Sequence, residues 1–190
     1  MADYYDTVPD GVIDDRFGVA HFDFKSPEYE TLDKISPVEW EECRGLGRSF
    51  GFNRAEGEAE TISAKDVIYL LVDIVSKNGN LLLDVGPEAD GTIPPVQASR
   101  LQALGSWLQQ NGEASYGTTP WTRANGTAAD GTDIRFTRKN AVLYAILLGQ
   151  PKSSSVAIPI PGQIESPSWS VRALAQPSRF PRNPAIMLSL

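Results

Sequence analysis

Between Ser63 and Gly112 the apolar positions fall into two registers. Val67, Ile68, Leu71, Ile74 and Val75 recur at three- and four-residue spacing, which predicts an amphipathic helix. Ser63-Ala64-Lys65-Asp66 ahead of it has the form of a capping box with Asp in place of Glu. Asn78-Gly79 ends it, with glycine free to take the left-handed cap. Leu81–Val85 follows as an apolar run broken only by Asp84, the pattern of a strand covered on both faces. Pro94 or Pro95 opens a second helix, with Leu101, Leu104 and Leu108 marking its buried side and Asn111-Gly112 closing it. With Ser49–Asn53 read as a short strand, Ser49–Gly112 runs strand, helix, strand, helix. That alternation predicts an α/β fold with parallel strands and crossover helices. Functional residues in such folds gather at the C-terminal ends of the strands.

The flanks are less periodic. Residues 1–11 are polar with turn chemistry at Val8-Pro9-Asp10-Gly11, and Val12–Ile13 is a short strand-like piece. Residues 17–37 read as loop, and Val38–Gly47 as a short helix with Pro37 tolerated near its first turn. After Thr119-Pro120 the chain becomes turn-rich. Thr132–Thr137 then alternates as a strand, turns at Arg138-Lys139-Asn140 into Ala141–Leu148, and Ser155–Ile160 suggests a third strand. This predicts a division into residues 1–118 and a separate β region, 119–190, whose proline-bearing tail through Gln176–Leu190 reads as irregular.

Composition narrows the function. Of 190 residues, 41% are hydrophobic and 22% charged, as in an ordinary globular chain. A formal net charge of −7 argues against nonspecific nucleic-acid binding, which needs a basic face. No apolar run approaches the ~20 residues of a membrane span. The acidic start, MADYYDTVPDGVIDD, lacks the apolar core of a signal peptide, and the compartment stays open. The single Cys43 excludes an intrachain disulfide framework; beside Arg44 it reads either as a reactive thiol or as a buried inert one. The single His21 removes the usual Ser-His-Asp and histidine-metal readings. Acid–base chemistry must then come from carboxylates, with no metal-ligand spacing and no cofactor expected.

Two stretches carry the candidate chemistry. WEECRGLGRSFGFNRAEG, Trp40–Gly57, sets Arg44, Arg48, Arg54 and Glu56 among glycines and aromatics with no sustained period. Glycine permits tight turns and close approach to a ligand, and charged groups held in such loops are disproportionately functional. NGNLLLDVGPEADGT, Asn78–Thr92, empties an apolar run into a Gly- and Pro-rich acidic loop. Together they read as strand ends delivering loops to one site.

These runs, with DIVSKNGNLLLDVGPEADGTIP, WLQQNGEASYGTTPW and the earlier VPDGVIDDRFGVAHFDFKSPEYE, resemble the α-L-fucosidases of glycoside hydrolase family 29, from about Tyr4 to about Gly162. The resemblance implies a retaining glycosidase that removes terminal α-L-fucose. It implies a (β/α)8-like (TIM) barrel followed by a β-sandwich, of which residues 1–118 would be the C-terminal half of the barrel and 119–190 the start of the sandwich. A complete barrel takes about 250 residues, which agrees with a partial one here.

A retaining enzyme uses two carboxyl groups about 5–5.5 Å apart, one nucleophile and one acid/base. By motif match Glu56 falls on the acid/base position; the alternative is a solvated loop glutamate like Glu58 and Glu60. Arg44 matches a family arginine beside the catalytic carboxylates, where a guanidinium would keep the nucleophile ionised. Its alternative is a salt bridge to Glu41 or Glu42. Leu81 and its neighbours would form an apolar patch for the C6 methyl of fucose, or else be core. Trp40, Trp107 and Trp121 would stack on sugar, or pack internally. The family's nucleophilic aspartate precedes the first residue of this sequence, as do its fucose-holding histidines and tryptophan. Asp14 and Asp15 match a different family motif, and Asp84 and Asp90 are formal alternatives better read as strand-end and turn acids. The sequence therefore predicts a truncated fucosidase chain acting on fucosylated glycans. The second reading is a non-catalytic fucose- or glycan-binding or complementing fragment. Unpaired barrel edges would favour homo-oligomers.

Overall fold

Trp40–Gly45 forms strand β1, whose side chains alternate between a buried face, led by Trp40 and Glu42, and a half-exposed one. The short helix expected over Val38–Gly47 does not form. Parallel pairing claims these residues on both edges: residue for residue with β2 (Gly79–Asp84) on one side, and through bridges at Lys25 and Glu28 on the other. Such tertiary pairing overrides weak local preference. The coordinates are a computed structural model that describes every residue except 19, 153–155, 159, 161–169, 175–184 and 190, and it leaves undescribed the side chains of 170–171 and 185–189.

Helix α1 occupies Ala2–Thr7, where the sequence showed only a polar stretch; the turn expected at Val8-Pro9-Asp10-Gly11 forms, the Gly11 amide donating to the Val8 carbonyl at 2.9 Å, and Val12–Ile13 is not a strand. Helix α2 (Ala64–Ser76) joins β1 to β2 as a βαβ crossover. Its capping box forms as written: the Asp66 amide donates to Ser63 Oγ at 3.1 Å, and that hydroxyl donates to Asp66 Oδ2 at 2.6 Å. The left-handed residue after the helix is Asn78, φ 73°, rather than Gly79. Gly79 serves packing instead: a Cβ there would stand 2.5 Å from the Trp40 indole. Strand β2 is not covered on both faces, since Leu82 is 50% exposed. Helix α3 (Pro95–Asn111) opens with Pro95 at its first turn and buries Gln97, Trp107 and Asn111. Leu101, expected on the buried side, is exposed, while Leu104 and Leu108 are half-buried.

Ser49–Asn53 is a looped segment, not a strand. Gly51 takes φ 75°, its amide donates to Asp84 Oδ2 at 3.0 Å, and Phe50 and Phe52 are exposed. The strand–helix–strand–helix order survives with its first strand moved to β1. Among the described residues no helix is long and apolar enough to cross a membrane.

The second layer is a five-stranded antiparallel sheet in the order β3-β4-β5-β7-β6, comprising β3 (Thr119–Thr127), β4 (Asp133–Lys139), β5 (Val142–Leu147), β6 (Ser170–Ala173) and β7 (Ala185–Ser189). The β4–β5 hairpin forms as the alternation predicted, turning at Asn140, φ 55°. Three expectations fail. The stretch read as turn-rich after Thr119 contains β3, an edge strand where Pro120 is tolerated. The tail read as irregular contributes β7, paired with β5 on one edge and on the other with β6, which precedes that tail; the rest of the tail, 176–184 and 190, lies outside the described residues. In the third strand expected at Ser155–Ile160, residues 156–158 and 160 form no strand, though the Ala157 carbonyl accepts from the Ala129 amide at 3.0 Å; Ser155 and Pro159 lie outside the described residues.

Strand β5 organises two cores. Tyr144 and Ile146 pack with Ile68, Val72, Trp107 and Ala114 beneath the helices. Leu143, Ala145 and Leu147 face away, packing with Ile134 and Phe136 and flanked by Trp121, Val156, Ile158 and Ile160. Each fully buried Val, Leu, Ile or Phe side chain among them contributes about 1.5–3 kcal/mol by leaving water. One polar junction ties helix to sheet. Asp73 of α2 accepts from Lys77 Nζ at 2.6 Å and from Arg135 Nε of β4 at 2.5 Å.

Candidate functional site

The loop from Leu46 to Ser63 leaves the C-terminal end of β1, and Glu56 is fastened within it. Its Oε1 accepts from the Arg48 amide at 3.1 Å, Ser49 Oγ at 2.7 Å and Asn53 Nδ2 at 3.2 Å. The donors lie within eight residues upstream, so a tight loop suffices to gather them. The carboxylate is half-buried, and its Oε2 lies against Gly47, where an added Cβ would come within 1.7 Å. Among the described residues Oε2 carries no hydrogen bond. Glu58 pairs with Arg100, and Glu60 Oε2 accepts from the Gly57 amide at 3.0 Å, so Glu56 differs from both neighbours in its local setting.

A second loop meets the first. The Gly86 amide donates to Gln97 Oε1 at 2.9 Å, and a Cβ at Gly86 would stand 2.3 Å from the Gly51 backbone. Together with the Gly51–Asp84 hydrogen bond, this seats the Glu56 loop on the end of β2. Only glycine allows so close an approach.

Arg44 lies near the end of β1. Its guanidinium carbon is 5.0 Å from the Tyr29 ring centroid, and Nη1 is 3.7 Å from Glu42 Oε1. Of the two carboxylates considered from sequence, Glu42 is the one it faces. Glu42 is fully buried, and neither of its oxygens has a hydrogen-bond partner among the described residues. Burial pushes the Glu42 carboxyl above its ordinary range, with Asp73 adding to the rise and Arg44 opposing it. A raised folded-state value means the folded protein holds this proton more tightly than the unfolded chain. Stability is therefore expected to fall as pH rises from about 4.3 through the raised value. Glu42→Gln should flatten this slope, as read by urea midpoints across pH 4–8; an unchanged slope would remove Glu42 as its source.

The remaining candidates separate cleanly. Leu81 pairs with Glu42 and is half-buried, whereas its neighbour Leu82 is the exposed leucine of β2. Trp40 is buried, its Nε1 donating to the Lys77 carbonyl at 3.1 Å, Trp107 is core, and Trp121 packs on Phe136 at 5.2 Å. Asp14 accepts from the Arg16 amide, and Asp15 accepts from the Ser26 amide and hydroxyl, which lowers its pKa. Asp90 caps a turn at Thr92, and that bond lowers its pKa. The Cys43 thiol is pushed up by burial, with Arg16 rather than Arg44 the opposing cation, so the structure does not support an activated thiol. Sequence reasoning missed Tyr29 and Gly47. The signal for Gly47 was present in the glycine spacing before Glu56, whereas nothing local marked Tyr29.

Comparison with known proteins adds the family. The family model described as alpha-L-fucosidase matches residues 1–113. An alpha-L-fucosidase of Branchiostoma floridae is 35% identical over 169 residues, covering 86% of this chain and 37% of that protein. The plasma alpha-L-fucosidase of Homo sapiens is 34% identical over 161 residues, covering 80% and 34%. The solved Thermotoga maritima alpha-fucosidase, in complex with a mechanism-based inhibitor, superposes with a TM-score of 0.82 at 40% identity, covering 100% of this chain and 43% of that one. The chain thus spans well under half the length of these relatives.

Proposed function

The chain belongs to the alpha-L-fucosidase family, and from that premise we propose that it supplies the acid/base side of a retaining α-L-fucosidase site, with Glu56 as the acid/base. The carrying observation is the Glu56 carboxylate itself, anchored through Oε1 by three donors while Oε2 bears no hydrogen bond among the described residues. An acid/base must hold one geometry through two proton transfers, and donors on one oxygen leave the other to carry the proton. In the first step Glu56 protonates the glycosidic oxygen as a nucleophilic carboxylate attacks the anomeric carbon. In the second it takes a proton from the water that releases fucose.

The nucleophile is assigned outside residues 1–190. Arg44 is the fixed cation that keeps it ionised, and Leu81 with its neighbours, Leu82 being the exposed member, meets the C6 methyl of fucose. Residues 1–118 are taken as the C-terminal half of a (β/α)8-like catalytic domain and 119–190 as the start of its β domain. The substrates are fucosylated glycans. A complementing role follows from the same surface. Among the described residues β2 pairs only with β1 and leaves Leu82 half-exposed, which favours association with another barrel segment or a second copy.

The test is a chimera in which this chain replaces the matched part of the T. maritima enzyme. A folded chimera should release aryl alcohol from an aryl α-L-fucoside; a folded but inactive one would overturn the proposal. Within it, Gly47→Ala should lower the rate about 100-fold by displacing the Glu56 carboxylate. Thermal stability should change little, since the displaced group is a partly exposed side chain. A Gly47→Ala variant of undiminished rate would detach Glu56 from the chemistry.

A further inference from the structure

The loop that carries Glu56 is closed at its neck and gripped from outside. At the neck the Ile62 amide donates to the Leu46 carbonyl at 2.8 Å, so the two ends of the loop meet. The outgoing limb supplies the donors to Glu56 Oε1 and is pinned to β2, where the Gly51 amide reaches Asp84. The returning limb, 57–61, is tied within itself: the Thr61 amide and hydroxyl both donate to the Gly57 carbonyl, at 3.2 and 2.7 Å. Glu56 lies between the two limbs, so its place depends on both.

Arg100, in the second turn of α3, reaches the returning limb. Its Nε donates to the Ile62 carbonyl at 2.8 Å, and Nη2 pairs with Glu58, two residues from Glu56. Nη1 donates to Ser99 Oγ at 3.2 Å, so all three guanidinium nitrogens are engaged. The Arg100 side chain is only 13% exposed, whereas that of Glu58 is 74% exposed. An ion pair to so exposed a partner adds little. The bond from a largely buried cation to a backbone carbonyl is the firmer hold. A planar guanidinium makes these contacts in fixed directions, as an ammonium cannot. The anchor itself is fixed, because Trp107, two turns further along α3, packs in the core with Tyr144 and Ile146 of β5.

Building on the assignment of Glu56 as acid/base, we infer that Arg100 is a positioning residue for that acid: it holds the returning limb of the loop to α3 and thereby sets where the Glu56 carboxylate stands. It acts through Ile62 and Glu58 rather than on the substrate. A proton donor must lie within hydrogen-bond reach of the glycosidic oxygen, so a limb free to shift by about 1 Å forfeits rate without loss of the fold.

Amide hydrogen exchange on the 190-residue chain reads this hold without any chemistry at Glu56. In Arg100→Met the amides of Glu56, Thr61 and Ile62 should exchange about tenfold faster, the effect of losing one hydrogen bond from a charged donor. Those of β5 should keep the parent rate. Arg100→Lys keeps a cation for Glu58 but not the fork, so it should show most of the same change, and it serves if Arg100→Met does not fold. Glu58→Gln should show little of it. In the chimera either Arg100 variant should form the fucosyl-enzyme about tenfold more slowly from a phenyl α-L-fucoside and only slightly more slowly from a 2,4-dinitrophenyl fucoside, whose departure needs no proton. A residue that merely stabilised the fold would not distinguish the two leaving groups. Unchanged loop exchange, acceleration spread evenly over the chain, or equal losses on both substrates would overturn the inference. Failure of the Glu56 assignment would appear separately, as a Glu56→Gln variant that treats both leaving groups alike while loop exchange still follows Arg100.

Discussion

Replacing Asp73 by Ala is expected to destabilise the chain by about 3 kcal/mol, the low end of the loss when one partner leaves a buried charge pair. Asp73 serves two cations at once, and the side chains of Asp73, Lys77 and Arg135 are only 15%, 9% and 17% exposed. Removing the carboxylate strands both cations in a poorly solvated junction between α2 and β4. Their desolvation then goes uncompensated, which outweighs the side-chain entropy released. In a chain of this size the midpoint temperature should drop by about 6–12 °C. The double variant Asp73→Ala/Arg135→Met should recover part of the loss, because it removes a stranded charge and adds apolar contact. Urea unfolding followed by circular dichroism measures both. An unchanged midpoint in Asp73→Ala would mean that the junction is solvated and contributes nothing.

What could be read from the chain was local. The Ser63–Asp66 cap, the α2 period, Pro95 at the start of α3 and the β4–β5 hairpin each rest on residues a few positions apart, and each formed. What could not be read depends on distant partners. Trp40–Gly45 carries charges that suit a helix surface, and becomes a strand only because residues 25–28 and β2 pair with its two edges. Strand β7 is specified by β5, some forty positions upstream, with an irregular-looking stretch between. The same division runs through the site. The ligands of Glu56 lie within one loop, so its glycines and polar residues pointed to it. Tyr29 and buried Glu42 acquire meaning only once residues 25–29 lie beside β1 and Asp73 of α2 comes near Glu42. Phe50 and Phe52 misled for the converse reason: their alternation imitates a strand, while Gly51 and Asp84 bend the segment into the loop that carries Glu56.

Glu56→Gln in the chimera should lower hydrolysis of a phenyl α-L-fucoside by about 10²–10⁴-fold, the usual contribution of a positioned acid/base. The amide keeps the shape of the side chain and an acceptor for Arg48, Ser49 and Asn53, so the loop should persist and the loss be chemical. A phenolate is a poor leaving group and needs the proton, whereas 2,4-dinitrophenolate leaves as a stable anion without one. The decisive measurement is therefore the rate of fucosyl-enzyme formation for these two substrates, compared between parent and Glu56→Gln. A deep loss on the phenyl fucoside beside a slight one on the dinitrophenyl fucoside is the result expected of an acid/base. Equal losses on both, or none on either, would contradict that role for Glu56.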